Sequence, residues 1–225
     1  MKILFEDAQL IAVEKDQNCP VQRDRQSHTS LLEEVKDYYE FVKGIDNPYV
    51  GLVHRLDRHT GGVVVFAKTP RAARVLSTLF AEHKTQKFYI ALVLGQMQPT
   101  KGVLENHLKS DASENFTSIC DPQDPEAKLA KLAYEVKKTF KADIGDVSML
   151  KIQLFTGRQH QIRAQLSHAG YPILGDEKYG SNIPNAKYIS MALWAHELKF
   201  KAFGKTYHFT SEVPSKDIWA LCSSK

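Results

Sequence analysis

Two short segments of this 225-residue chain crowd ionisable side chains more tightly than a solvated surface requires. The first is Gly51-Leu52-Val53-His54-Arg55-Leu56-Asp57-Arg58-His59-Thr60-Gly61-Gly62. It joins a short apolar strand to a buried one, a place where loops carry function more often than cores do. An aspartate between Arg55 and Arg58 has its ionised form favoured, and an ionised carboxylate serves as nucleophile or base. The same Asp57 also reads as a cap on the Thr60-Gly61 turn, with its arginines on the surface.

The second segment is Leu154-Phe155-Thr156-Gly157-Arg158-Gln159-His160-Gln161-Ile162-Arg163. A strand ends at Thr156-Gly157 and a helix follows, which places Arg158 at a helix N-terminus where free N–H groups attract anions. His160 and Arg163, three apart, are expected on one helical face, with Ile162, Leu166 and Ala169 on the buried one. A phosphate site, a partner for Asp57 and an ordinary amphipathic helix all fit this pattern. His54, His160 and His168 have no carboxylate or cysteine at ligand spacing, so no metal site is expected. A third segment, Lys87 to Gly95, alternates so that Tyr89, Ala91 and Val93 face one way. Tyr89 then reads as a core residue or as a ring that stacks on a base, its hydroxyl a proton carrier.

The elements that position these residues are legible from periodicity. Ile3-Leu4-Phe5 and Leu10-Ile11-Ala12-Val13 read as two strands. Ser30 and Glu33 form a capping box, and Leu31, Leu32, Val35, Tyr38, Tyr39 and Val42 carry a helix to Gly44. The β-branched run over 62–67 predicts a strand buried on both faces, and Thr69-Pro70 opens a helix striped by Ala73, Leu76, Leu79 and Phe80. Further strands are expected over 88–94, 102–108, 130–138, 147–155, 191–200 and 206–210, with a helix over 159–169 closed by Gly170 and a short helix after Pro214. Ser110 to Glu126, polar and proline-bearing, is expected as a surface loop. Runs of strands broken by a few helices, without regular β-α-β alternation, argue for an α+β fold.

Composition excludes the non-globular classes. Hydrophobic residues make up 43% and charged residues 25%, ordinary globular usage. No apolar run approaches a membrane span and the opening residues do not resemble a signal peptide, so a cytoplasmic protein is expected. Cys19, Cys120 and Cys222 are far apart and read as reduced thiols. The net charge is +4, but it alternates: residues 1–50 hold 6 basic and 10 acidic side chains, 51–100 hold 7 and 2, 101–150 hold 7 and 9, and 151–225 hold 10 and 5. The two basic blocks contain the segments singled out above, as expected of a face that meets a polyanion, although ordinary solvated charge gives the same count.

Taken together, these segments resemble the RluA family of pseudouridine synthases. The resemblance rests on Lys15 with Pro20-Val21-Gln22, His54-Arg55-Leu56-Asp57 with Thr60-Gly61, Ala67-Lys68, Lys87 to Gly95, Glu126-Ala127-Lys128, Thr156 to Arg163, and Pro172 to Gly180. It implies a single catalytic domain over 1–225, a mixed and largely antiparallel bent sheet with flanking helices and a central basic cleft, without a separate N-terminal RNA-binding domain. It implies Asp57 as the catalytic aspartate, Tyr89 as the aromatic that stacks on the target base and Arg163 as the cation paired with Asp57. Arg55 looks like the residue that fills the gap left by a flipped nucleotide, and Arg58, His59, Lys87, Arg158 and His160 are expected to contact RNA. Ribosomal large-subunit RNA and transfer RNA stem-loops are the implied partners, with no metal and no cofactor, because the isomerisation gains and loses no atom; a monomer is expected. Three places depart from the pattern: His59 stands where an acidic or small residue is usual, Gly62 turns Thr-Ser-Gly into Thr-Gly-Gly, and Lys15-Asp16-Gln17-Asn18-Cys19-Pro20 replaces Lys-Pro-x-Gly. A non-catalytic RNA-binding protein on the same scaffold is the main rival, and a base-excising glycosidase, which would release free uracil, is a second.

Overall fold

Local signals set the element starts. In the computed structural model, which describes residues 1–24, 27–180 and 190–222, strands β1 (Lys2–Glu6) and β2 (Leu10–Lys15) lead into α1 (Leu31–Asp37). The Ser30 hydroxyl accepts from the Glu33 N–H and donates to its carboxylate, so the capping box forms as the sequence requires. Short β3 (Gly51–Leu52) and fully buried β4 (Gly61–Ala67) precede α2 (Pro70–Ala81), where Thr69 Oγ1 accepts the Ala72 N–H at 3.1 Å. Then come β5 (Gln86–Leu94), β6 (Lys101–Asp111), β7 (Phe116–Ile119), β8 (Lys128–Ala142), β9 (Gly145–Leu154), α3 (Gln161–His168), β10 (Leu193–Ala202), β11 (Lys205–Thr210) and a 3₁₀ turn at Asp217–Cys222.

These elements form two compact units, one of Met1–Gln86 with Ala195–Glu212 and one of Lys87–Trp194 with Val213–Lys225. In the first, β1, β2, β4 and β10 are neighbours in that order, with β11 on β10 and β3 on β4. Alternation along β2 and β4 serves two cores at once. Leu10, Ala12, Val63, Val65 and Ala67 pack with Ala72 and Leu76 of α2 and with Phe200, Tyr207 and Phe209. Ile11, Val13, Val64 and Phe66 pack on the other side with Leu31, Val35 and Tyr39. The strand over 62–67 is therefore buried on both faces, as its composition requires.

Three differences from the sequence pattern have physical causes. The α-helical part of the first helix stops at Asp37 and continues as a π-helical turn, Tyr38–Val42. The Tyr38 and Tyr39 hydroxyls donate to Glu6 at 3.2 and 3.1 Å, and the wider turn lets consecutive tyrosines converge on one carboxylate. The expected loop over 110–126 contains β7, which pairs antiparallel with the end of β6. Its turn is made by Asp111, whose carboxylate accepts the Ser113 and Glu114 N–H groups, and by Asn115 at φ 48°. Gly62, where the sequence departs from Thr-Ser-Gly, is needed for close approach within the sheet: at φ +114° a Cβ there would lie 2.2 Å from the Ala195 carbonyl oxygen. Gly62→Ala is accordingly expected to cost about 3 kcal/mol or more, through strain and overpacking in a core strand. Urea unfolding of the variant measures this.

In the second unit the neighbour order is β5-β9-β8-β6-β7, and every pairing along it is antiparallel. Helix α3 covers this sheet, with Ala164 beside Leu108, Ala130 and Tyr179 in the core. Among the described residues no helix is long and apolar enough to cross a membrane.

Candidate active site

Asp57 lies in the first unit on a turn closed by the Thr60 N–H, which donates to the Asp57 carbonyl at 3.0 Å. His54 anchors the start of this segment: its Nε2 accepts the Val65 N–H at 3.0 Å, and its ring stacks on Phe80 at 4.3 Å. His54 is thus occupied by the sheet. Arg55 is exposed, Asp57 and Arg58 are half-buried, and Arg58 reaches Asp24 at 3.4 Å. Four of the expected site residues, Arg55, Asp57, Arg58 and His59, therefore share one turn.

The turn is braced by a lysine that the sequence pattern assigned no role. Lys15 is fully buried, and its ammonium donates to the carbonyls of Asp16, Cys19 and Arg58. Burial pushes its pKa down to about 8, opposed by the nearby Cys19, Asp57 and Asp16 and reinforced by Arg58. The unfolded chain, with the ordinary lysine value of 10.5, holds more protons than the folded one between those two values. Lys15 therefore adds stability as pH rises from about 8 toward 10.5, and its full cost is present below 8; the gain is up to about 3 kcal/mol. Urea unfolding of wild type and Lys15→Met at pH 7 and pH 9.5 is expected to show the wild type gaining relative to the variant at the higher pH.

Tyr89 and Arg163 belong to the second unit. Tyr89 is buried on β5 opposite Ile152, with Lys87 two positions earlier on the same strand face, opposite Leu154. Lys87 is half-buried, and burial lowers its pKa. Among the described residues its ammonium has no hydrogen-bond or ion-pair partner. A Cβ on Gly157 would stand 3.4 Å from Lys87 Nζ, so the lysine lies against the segment that holds Arg158.

Arg163 is 5% exposed. Its Nε and one Nη donate to the two Asp176 oxygens at 2.7 and 2.8 Å, a bidentate clamp that uses two of the five guanidinium N–H donors. The guanidinium carbon sits 4.9 Å from the Tyr179 ring centroid. Asp176 also accepts the Lys178 and Tyr179 N–H groups, and the Tyr179 hydroxyl accepts the Thr117 N–H at 2.8 Å. Arg163 is therefore set by a carboxylate 13 residues further along, in a turn segment whose sequence says only that the backbone turns sharply.

The second segment is more structural than its sequence implies. His160 takes φ 49°, the left-handed region, so α3 begins at Gln161 and His160 is not on its face. Its buried ring places Nδ1 3.0 Å from the Tyr179 hydroxyl, away from the exposed position that RNA contact would require. The N-terminal anion site expected at Arg158 is filled from within: the Arg158 N–H donates to Gln161 Oε1 at 3.1 Å, and its Nε to the Leu129 carbonyl at 3.0 Å. The Gln161 amide donates to the Lys131 carbonyl and to Gln165, whose own amide donates to Asn106 and the Leu104 carbonyl. Helix α3 is consequently buried on nearly all sides rather than amphipathic. Its polar residues satisfy strand carbonyls that apolar side chains would leave unpaired.

Comparison with known proteins agrees with this architecture. Residues 9–168 match the family profile described as RNA pseudouridylate synthase. The chain is 32% identical over 207 residues to an uncharacterized RNA pseudouridine synthase of Mycoplasma genitalium, covering 89% of this chain and 63% of that protein, less than two thirds of its length. It is 30% identical over 203 residues to the dual-specificity RNA pseudouridine synthase RluA of Vibrio vulnificus, covering 88% of this chain and 77% of that one. The fold is also that of human RNA Pseudouridylate Synthase Domain Containing 4, with a TM-score of 0.82 at 23% identity over 95% of this chain and 88% of that chain.

Proposed function

Because this chain belongs to the RNA pseudouridylate synthase family, we propose that it isomerises uridine to pseudouridine in structured ribosomal or transfer RNA, with Asp57 as the catalytic aspartate. What carries the reading is the family match over residues 9–168, the span that holds Asp57, Tyr89 and Arg163. The N-glycosidic bond breaks, uracil turns, and C5 joins the sugar C1′, with the C5 proton released to water and a proton taken up at N1. No atom is gained or lost overall, so the reaction asks for no cofactor and no metal. A uridine within a helix is out of reach, so it leaves the stack at a cost of a few kcal/mol and is held by stacking, the part assigned to Tyr89. Asp57 acts as the reacting carboxylate, and the family resemblance assigns Arg163 the part of the active-site cation. Arg55 fills the gap in the RNA stack, while Arg58, Arg158 and Lys87 follow phosphates. The chain acts as one catalytic domain, a monomer in the cytoplasm.

Lys87 supplies a separate check on RNA contact. A half-buried ammonium with no partner among the described residues is costly to keep, and a phosphate supplies the missing charge. Lys87→Met is expected to weaken RNA binding and to make the slope of log affinity against log salt shallower by about one. An unchanged slope would remove Lys87 from the RNA face.

The deciding experiment incubates the protein with transfer and ribosomal RNA labelled with tritium at uracil C5. Tritium released to water without free uracil is the expected result, and the fraction that releases it names the substrate class. Free uracil would make the protein a glycosidase. Retained RNA without tritium release from either fraction would make it a binding protein.

A further inference from the structure

We infer that Gln17, Asn18 and His59 form a latch that positions the Asp57 turn. This inference rests on the reading of Asp57 as the catalytic aspartate. The turn presents two successive carbonyls to the end of β2 and the loop that follows it: that of Arg58 is held by Lys15, and that of His59 accepts the Gln17 side-chain amide at 3.0 Å. The His59 ring is engaged as well, with Nδ1 2.7 Å from Asn18 Oδ1. Asn18 reaches it because its backbone is left-handed, φ 63°, a conformation that asparagine tolerates better than most residues and that glycine adopts without strain. A glycine at 18 would make the same turn but offer no oxygen to His59. Two places where this chain departs from the family pattern, the loop after β2 and His59, are thus bonded to each other through Asn18, across 41 residues.

The latch acts on the turn and not on the substrate, so these are positioning residues. Lys15 restrains the turn one residue beyond Asp57, and the latch restrains it at the next residue by both main chain and side chain. A carboxylate free to swing by an ångström loses much of its reactivity while RNA binding is untouched, because binding is spread over many phosphates.

The test measures kcat and KM by tritium release for wild type, Asn18→Gly, Asn18→Asp, His59→Ala and the double variant Asn18→Gly/His59→Ala. Asn18→Gly keeps the left-handed turn and removes only the acceptor; Asn18→Asp restores an acceptor oxygen. Asn18→Gly and His59→Ala are each expected to lower kcat about fivefold, the worth of one hydrogen bond, with KM for RNA within about twofold of wild type. The double variant is expected to be no worse than either single one, because both remove the same bond, and Asn18→Asp is expected to recover wild-type kcat. The proposal is overturned if Asn18→Gly leaves kcat unchanged, if the two losses multiply to about 25-fold, or if His59→Ala raises KM and flattens the salt dependence, which would make His59 an RNA contact. Asp57→Asn measured alongside separates the two readings. An active Asp57→Asn removes the catalytic assignment itself, whereas an inactive one with a silent Asn18→Gly removes only the latch.

Discussion

Asp57→Asn is expected to lower single-turnover tritium release by at least about 10⁴-fold while RNA retention on a filter stays within about twofold of wild type. Asparagine has nearly the shape of aspartate and preserves the turn, whose closing bond runs from the Thr60 N–H to the main-chain carbonyl of residue 57 and does not involve the side chain. What it lacks is the negative charge, and with it the capacity to attack a carbon or accept a proton, a contribution at the upper end of what one positioned group supplies. Binding should survive because phosphate contacts dominate affinity for RNA and the substitution removes an anion rather than a cation. Release at a tenth of the wild-type rate or faster would exclude Asp57 as the reacting group. Loss of binding together with release would point to an unfolded variant, which thermal unfolding would reveal.

The second large effect is on stability. Asp176→Asn is expected to cost about 3 kcal/mol, because it removes the charge of the carboxylate that clamps the buried Arg163 guanidinium at 2.7 and 2.8 Å. The damage extends past the pair. Asp176 also accepts the Lys178 and Tyr179 N–H groups, and Tyr179 packs face to face on Phe116 at 4.6 Å while its hydroxyl holds β7 through Thr117. Urea unfolding gives the number. A loss below about 1 kcal/mol would mean that the pair contributes no more than an exposed one. Replacing both partners, Arg163→Met with Asp176→Leu, should recover part of the stability, since apolar groups of similar volume carry no desolvation cost, and should not recover turnover.

Much of the framework could be read from short stretches of chain. Ser30 with Glu33, Thr69 with Pro70, and the run Val63-Val64-Val65 each act within a few residues, so helix starts and the doubly buried strand follow from local hydrogen bonding and from burial on both faces. The crowding around Asp57 and the alternation that sets Lys87 and Tyr89 on one strand face were visible for the same reason. Strand β7 was not, because a four-residue strand among polar neighbours gains its pairing only from the end of β6. The face of α3 is not legible either: periodicity marks polar residues as outward, whereas Gln161, Arg163 and Gln165 are polar because buried carbonyls and a buried carboxylate need them.

The sequence by itself determined most of the elements, the two charged segments and the family pattern that joins them, since these depend on residue type and on spacing over a few positions. Only the tertiary structure decided what holds each group in place: Lys15 against the Arg58 carbonyl 43 residues away, Asn18 against His59, and Asp176 against Arg163. A hydrogen bond or ion pair between distant residues leaves no periodic trace, because its worth depends on the geometry and burial that folding creates and not on where its partners stand in the chain.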